Sequence, residues 1–169
     1  MDFTTYLKTG KVKKKTIDPE EGQALLYQAI DRLDFVKEKD ITNKSAKFVF
    51  EGAYESVRES AQSLMSKQGY KPYSHEATIS FIVEFYKKYF SEEDIANFDH
   101  FRILRNDSVY RAVQVLPEDA KDCLIFATKF VKKVKEIFLV WIIYQKNTLF
   151  YSNQLVVFQE HQKLFQILY

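Results

Sequence analysis

Chain breakers are scarce in this sequence: 169 residues include four glycines, three prolines and one cysteine. A turn-rich β fold needs glycine and proline at its corners, so their scarcity favours long helices. Cys123 is the only cysteine. No disulfide framework can form within the chain, and a reducing compartment is the expected home. The N-terminus has no apolar h-region, so no signal peptide is expected. The longest apolar run, Ile137 to Tyr144, falls far short of the ~20 residues a membrane span requires. A cytoplasmic location with no membrane contact follows as an expectation.

Charge of one sign is also lacking. The net charge is +2 with acids and bases interspersed, which is compatible with nucleic acid but does not single it out. His75, His100 and His161 have no metal-ligand spacing, and Cys123 has no histidine at a useful offset. No Gly-rich phosphate loop, nucleophile elbow or Cys-x-x-Cys is present. No metal and no cofactor is expected.

What is present is hydrophobic periodicity. Hydrophobic residues make up 46% of the chain, too many for a disordered one. Residues 1–17 are basic, with Lys8, Lys11, Lys13, Lys14 and Lys15 against Asp2, and are expected to be a solvated tail or a phosphate-touching arm. Asp18-Pro19-Glu20-Glu21 starts a helix near 19–39: Asp caps, Pro suits the first turn, and acids suit the positive end of the dipole. Thr42 or Asn43 caps a second helix with the apolar stripe Ala46, Val49, Phe50, Ala53, Val57, Ala61 and Leu64. Gly69 stops it. A turn at 71–74, with Ser74 as cap, leads to a third helix carrying Ile79, Ile82, Val83, Tyr86 and Phe90. Ser91 and Asp94 form a capping box for a fourth, roughly 92–112. A fifth starts near Glu118, with Ala120, Leu124, Ala127, Val131, Val134 and Phe138 on one face.

After Glu136 the composition changes, and residues 137–169 hold only Lys146, Glu160 and Lys163 as charged side chains. The expected organisation is a tail at 1–17, an all-α, antiparallel up-and-down bundle of about five helices at 18–138, and an apolar C-terminal extension at 139–169. The span 19–138 is expected to be almost wholly helical, without a β-sheet.

The fourth helix carries an anomaly. Ile95, Phe98, Arg102, Arg105 and Val109 fall at i, i+3, i+7, i+10 and i+14 and share one face. Arginine does not discharge its proton, so each must meet a carboxylate, a partner subunit or a phosphate. Snorkelling or an internal salt bridge is the plain alternative. Around these residues, Leu104-Arg105-Asn106-Asp107-Ser108-Val109-Tyr110 resembles the Arg-(Asn)-x-x-x-His segment of HEPN domains, helical bundles that act in RNA metabolism, defence and toxin–antitoxin pairs. Gly69 and the Ser74-His75 pair before the third helix fit the same likeness, which covers roughly 18–138.

The resemblance implies an RNA site with Arg105, Asn106 and Tyr110 as its catalytic set and Arg102 and Arg105 as RNA contacts. It also implies a homodimer through the fourth helix, because the family assembles its site across two protomers. Metal-independent ribonucleases of the family end the motif in histidine, whereas this chain has Tyr110. Imidazole, with a pKa of about 6.5, serves as base and acid near neutrality, and a phenol at about 10 does not. The phosphate-binding half of the site is therefore kept, while the proton-transfer half is put in question by the tyrosine, so RNA binding with or without metal-independent ribonuclease activity stays open. His100 could substitute for the imidazole; His75, just after a cap, is expected to be structural. Two further readings stay open: a non-enzymatic HEPN subunit bound to a small nucleotidyltransferase, with Tyr110 itself modified, and a helical bundle of unrelated purpose.

Overall fold

The computed structural model describes residues 2–140. The chain divides into two compact units, Met1–Val134 and Lys135–Tyr169. Of the second, 135–140 are described and are helical; the apolar extension expected at 139–169 lies otherwise outside the described residues.

The protein is mostly helical. Its elements are α1 (Phe3–Lys8), β1 (Val12–Lys14), α2 (Pro19–Lys37), α3 (Ala46–Lys67), β2 (Tyr70–Pro72), α4 (His75–Tyr86), α5 (Glu92–Tyr110) and α6, which runs from 117 to 140. The stripe expected on the second helix is the centre of the core. Ala46, Val49, Phe50, Ala53, Val57, Ala61 and Leu64 of α3 are all buried. Helix α2 lies along α3: Asp18 meets Ser66, Arg32 meets Glu59, and Val36 meets Gly52. The reversed order of these pairs makes the two helices antiparallel. A Cβ at Gly52 would come within 2.5 Å of a Val36 methyl, so glycine there permits the close approach. Glu59 is buried and is met by both forks of Arg32 at 3.0 Å and by Gln28 at 3.2 Å, which satisfies its charge. Helices α5 and α3 are likewise antiparallel, with Phe101 on Phe50 and Phe98 on Tyr54. So are α5 and α6, with Asp94, Phe98 and Phe101 meeting Lys133, Phe130 and Phe126.

Helix α4 departs from the alternation. Tyr54 bonds His75 and Gln68 bonds Tyr86, so α4 runs beside α3 in the same direction. The extended segment after Gly69 makes this possible. A strand rises about twice as far per residue as a helix, so a few residues carry the chain back along α3. Gly69 starts the return at φ +76, the left-handed region that suits glycine.

The N-terminal residues correct the expectation of a tail. Asp2 caps α1, accepting from Thr5 N at 2.7 Å, and Phe3, Tyr6 and Val12 are buried. Three apolar anchors outweigh the five lysines around them, because four of the lysines stay exposed to water and Lys15 pairs with Glu21, while the anchors leave it. The expectation of no β-sheet within 19–138 is also corrected. β2 pairs with β1 antiparallel, with Val12 opposite Pro72, Lys13 opposite Lys71 and Lys14 opposite Tyr70. Pro72 is tolerated because the ladder bonds fall on either side of it: Tyr73 N donates to Lys11 O and Lys15 N to Gly69 O, both at 2.8 Å. At α3 neither Thr42 nor Asn43 is the cap. Ser45 holds that position without a capping bond from its side chain, which instead accepts from Thr42 N at 2.9 Å, and the Thr42 hydroxyl accepts from Ser45 N at 3.3 Å. On α4, Val83 faces outward and Phe81 takes the core position.

Candidate functional site

Helix α5 starts as its sequence indicates. Ser91 and Asp94 exchange side-chain-to-backbone bonds in a reciprocal capping box, and Asp94 also accepts from Lys133 Nζ at 2.6 Å. One turn on, Phe98 is fully buried. The expected arginine face therefore begins inside the chain's own core.

Arg102 is neutralised within the chain. Its Nε donates to Asp99 at 2.7 Å and its Nη1 to Glu76 at 2.8 Å, and its side chain is 14% exposed. The cleft beside it, about 410 Å³, is lined by Asp2, Glu76, Glu84 and Asp99 together with Tyr6. Four acids around one arginine repel phosphate. Arg102, expected as an RNA contact, stands in this structure in ion pairs with Glu76 and Asp99.

Arg105 differs. Its Nη1 reaches the Asn106 side-chain oxygen at 3.5 Å, the outer limit of a hydrogen bond. Its guanidinium carbon lies 5.9 Å from the Tyr110 ring centroid, within cation–π range. Among the described residues it makes no ion pair with a carboxylate. The structure thus brings Arg105, Asn106 and Tyr110 together, and the phenol of Tyr110 is 76% exposed.

A second cluster faces the same region, and sequence reasoning missed its role. Ser74 caps α4, accepting from Ala77 N at 3.2 Å. The return by β2 then sets His75 against α3, where its Nδ1 meets the Tyr54 hydroxyl at 2.8 Å. Which atom donates depends on the tautomer. Burial lowers the His75 pKa, and the charges of Arg58 and Arg105 lower it further. The same arginines reach Tyr54, whose pKa is raised chiefly by burial. His75, Tyr54, Arg58 and Arg105 therefore share one neighbourhood, on which the charges of Glu55 and Glu76 also act. Arg58 is itself held by Glu55 at 2.5 Å. The signal was present in Ser74-His75 and in the extended turn before it, but only the parallel course of α3 and α4 makes it a neighbourhood.

The other candidates lie elsewhere or are spent. His100 stands in an open groove of about 380 Å³ with Glu93, Asp94, Asp119 and Asp122, not beside Arg105's partners. Cys123 is fully buried, and burial pushes its thiol pKa far up, so it is no nucleophile. His161 lies outside the described residues. Among the described residues no group of three or more His, Cys, Asp or Glu is arranged to hold a metal ion, and no helix is long and apolar enough to cross a membrane.

The expected dimer face is partly taken up within the protomer, by Phe98 in the core and Arg102 in its ion pairs. Of that face Val109 is exposed, and elsewhere on α5 so are Ile103 and Tyr110. No protein-family model matches this chain, and no curated protein matches it.

Proposed function

We propose that this chain is an RNA-binding helical protein that holds phosphate at Arg105 and does not cleave by Tyr110. The observation that carries this is the contrast along α5: Arg102 has two carboxylates, and Arg105 has a neutral amide and an exposed phenol. A guanidinium so placed is free to grip a phosphate with two parallel bonds. Arg58 lies in the same neighbourhood, paired with Glu55, and the Tyr110 ring is accessible for stacking on a base. The reading agrees with the HEPN likeness of residues 104–110. A β-sheet anywhere in 19–138 is expected to end kinship with that family, and β2 supplies one, so the proposal rests on the side chains alone. Cleavage would need an imidazole or its equal. His75 has one ring nitrogen committed to Tyr54 and its pKa depressed, and so is neutral near pH 7.

The test is electrophoretic binding and cleavage of RNA without added metal, for the wild type and Arg105→Ala. Arg105→Ala should weaken binding and reduce the slope of log K against log salt by about 0.7, one single-strand phosphate contact. Wild type that binds no RNA at low salt overturns the proposal. The exposure of Tyr110 favours a second reading, a non-enzymatic subunit whose tyrosine is modified by a nucleotidyltransferase partner. Mass spectrometry of the Tyr110 peptide after co-expression with such an enzyme would show an added mass.

A further inference from the structure

The two-stranded ribbon has an outward face of unusual composition. Side chains alternate between faces along a strand, and directly paired residues share a face. Val12 is buried, and the Tyr70 ring lies against Phe3 and Phe81, so that set faces inward. Lys13 and Lys71, paired with each other, face outward, as do Lys11 and Tyr73 at the next rung, where Tyr73 N donates to Lys11 O. All four are exposed. Both ammonium groups gather at the Tyr73 ring, Lys13 at 5.3 Å and Lys71 at 5.8 Å from its centroid.

This arrangement opposes itself. Like charges directly across a ladder are destabilising, and no carboxylate offsets these. Among the described residues, Lys15 meets Glu21 in an ion pair, whereas Lys11, Lys13 and Lys71 meet none. The ribbon persists because its inward face packs, and its outward face is left as three cations around an accessible aromatic ring. A ligand that relieves the repulsion must be a polyanion. One that also uses the ring must carry unstacked planar groups. Single-stranded nucleic acid has both, and lysines beside a stacking aromatic are its usual platform. The chain itself joins this face to the Arg105 neighbourhood: Tyr73 is followed by Ser74 and then by His75.

We propose that the outward face of the β1–β2 ribbon binds single-stranded RNA, with Tyr73 stacking on a base and Lys11, Lys13 and Lys71 on neighbouring phosphates. It extends the RNA reading of Arg105 to a second surface, and the two can fail separately.

The experiment is fluorescence anisotropy of a labelled single-stranded oligouridylate with the full chain, across a salt series. The variants are Lys13→Gln with Lys71→Gln, Tyr73→Ala, Tyr73→Phe and Arg105→Ala. The double lysine variant should lower the salt slope by about 1.4, two single-strand phosphate contacts. Its melting temperature should be unchanged or raised, since the opposed charges are gone. Tyr73→Ala should weaken binding about tenfold, and Tyr73→Phe should retain it. Unchanged affinity and slope in the double lysine variant overturn the ribbon proposal, even if Arg105→Ala abolishes binding. Loss in the ribbon variants with none in Arg105→Ala supports the ribbon and removes Arg105 from the site. Wild type that binds anionic phosphatidylserine vesicles and not RNA also overturns it, assigning the lysines to a membrane surface.

Discussion

The two arginines of the α5 face sit three residues apart, yet they belong to different regions of the molecule. Up to Arg102 the helix is core. Phe98 and Phe101 interleave with aromatic rings of α3 and α6, and Arg102 has its charge answered by Glu76 and Asp99. From Arg105 onward the helix turns partly to solvent, Ser108 excepted, and Asn106 and the exposed Tyr110 are what the guanidinium meets. An arginine in an apolar stripe has two outcomes, and which one holds depends on what other helices bring to it. The first half teaches how the fold is held, and the second where a ligand is to be sought.

The sharpest break between the halves is expected in stability. Phe98→Ala removes a fully buried ring from a close-packed site and should cost about 3–5 kcal/mol. Tyr110→Ala should stay within about 0.5 kcal/mol. Urea denaturation of the two variants tests this, and a similar loss in both would erase the division.

The arginines should then show crossed phenotypes. Arg102→Ala removes two charge-assisted bonds, but both acceptors are nearly half exposed and rehydrate, so the loss should be about 1–2 kcal/mol. Its RNA affinity should be retained. Arg105→Ala should keep the wild-type midpoint and lose RNA affinity. Denaturation and anisotropy on the same preparations would show whether the phenotypes cross.

A smaller effect is expected from pH. The folded His75 pKa lies below its ordinary value of about 6.5 because burial and the Arg58 and Arg105 charges disfavour its cationic form. Between the two pKa values the unfolded chain binds more protons than the folded one, so stability rises with pH across that window. Lowering the pH from 7 toward 5 should therefore lower the melting temperature, less so in His75→Gln. In Arg105→Ala the His75 titration, followed by NMR, should move upward because one repelling charge is gone.

The smallest effect concerns Ser108, in the last turns of α5. Its hydroxyl is buried and has no hydrogen-bond partner among the described residues. Ser108→Ala should be neutral or stabilising by up to about 1 kcal/mol. A clear loss of stability would mean that the hydroxyl is satisfied by bound water.

Much of the bundle was legible because its signals are local. The α3 stripe is a period that any helix must bury. Asp18, Ser74 and Ser91 cap where they stand because capping involves residues within one turn. The N-terminal segment was misjudged for a related reason. Phe3, Tyr6 and Val12 are too few and too widely spaced to make a period, and five lysines dominate the composition. The ring partners of Phe3, namely Tyr70, Phe81 and Phe85, lie more than sixty residues away. The same distance hid β2, since three residues beside a proline carry no strand signal until a second strand is set next to them.

By itself, the sequence determined that the chain forms amphipathic helices, where most of them begin, and that two arginines lie in an apolar stripe. Period and capping act within a few residues, so they can be read without the fold. Only the tertiary structure decided which arginine is neutralised, that His75 stands beside Tyr54, and that Lys13 and Lys71 oppose each other across a ladder. These are encounters between residues tens of positions apart, set by the return of the chain after Gly69 and by the packing of α3 against its neighbours.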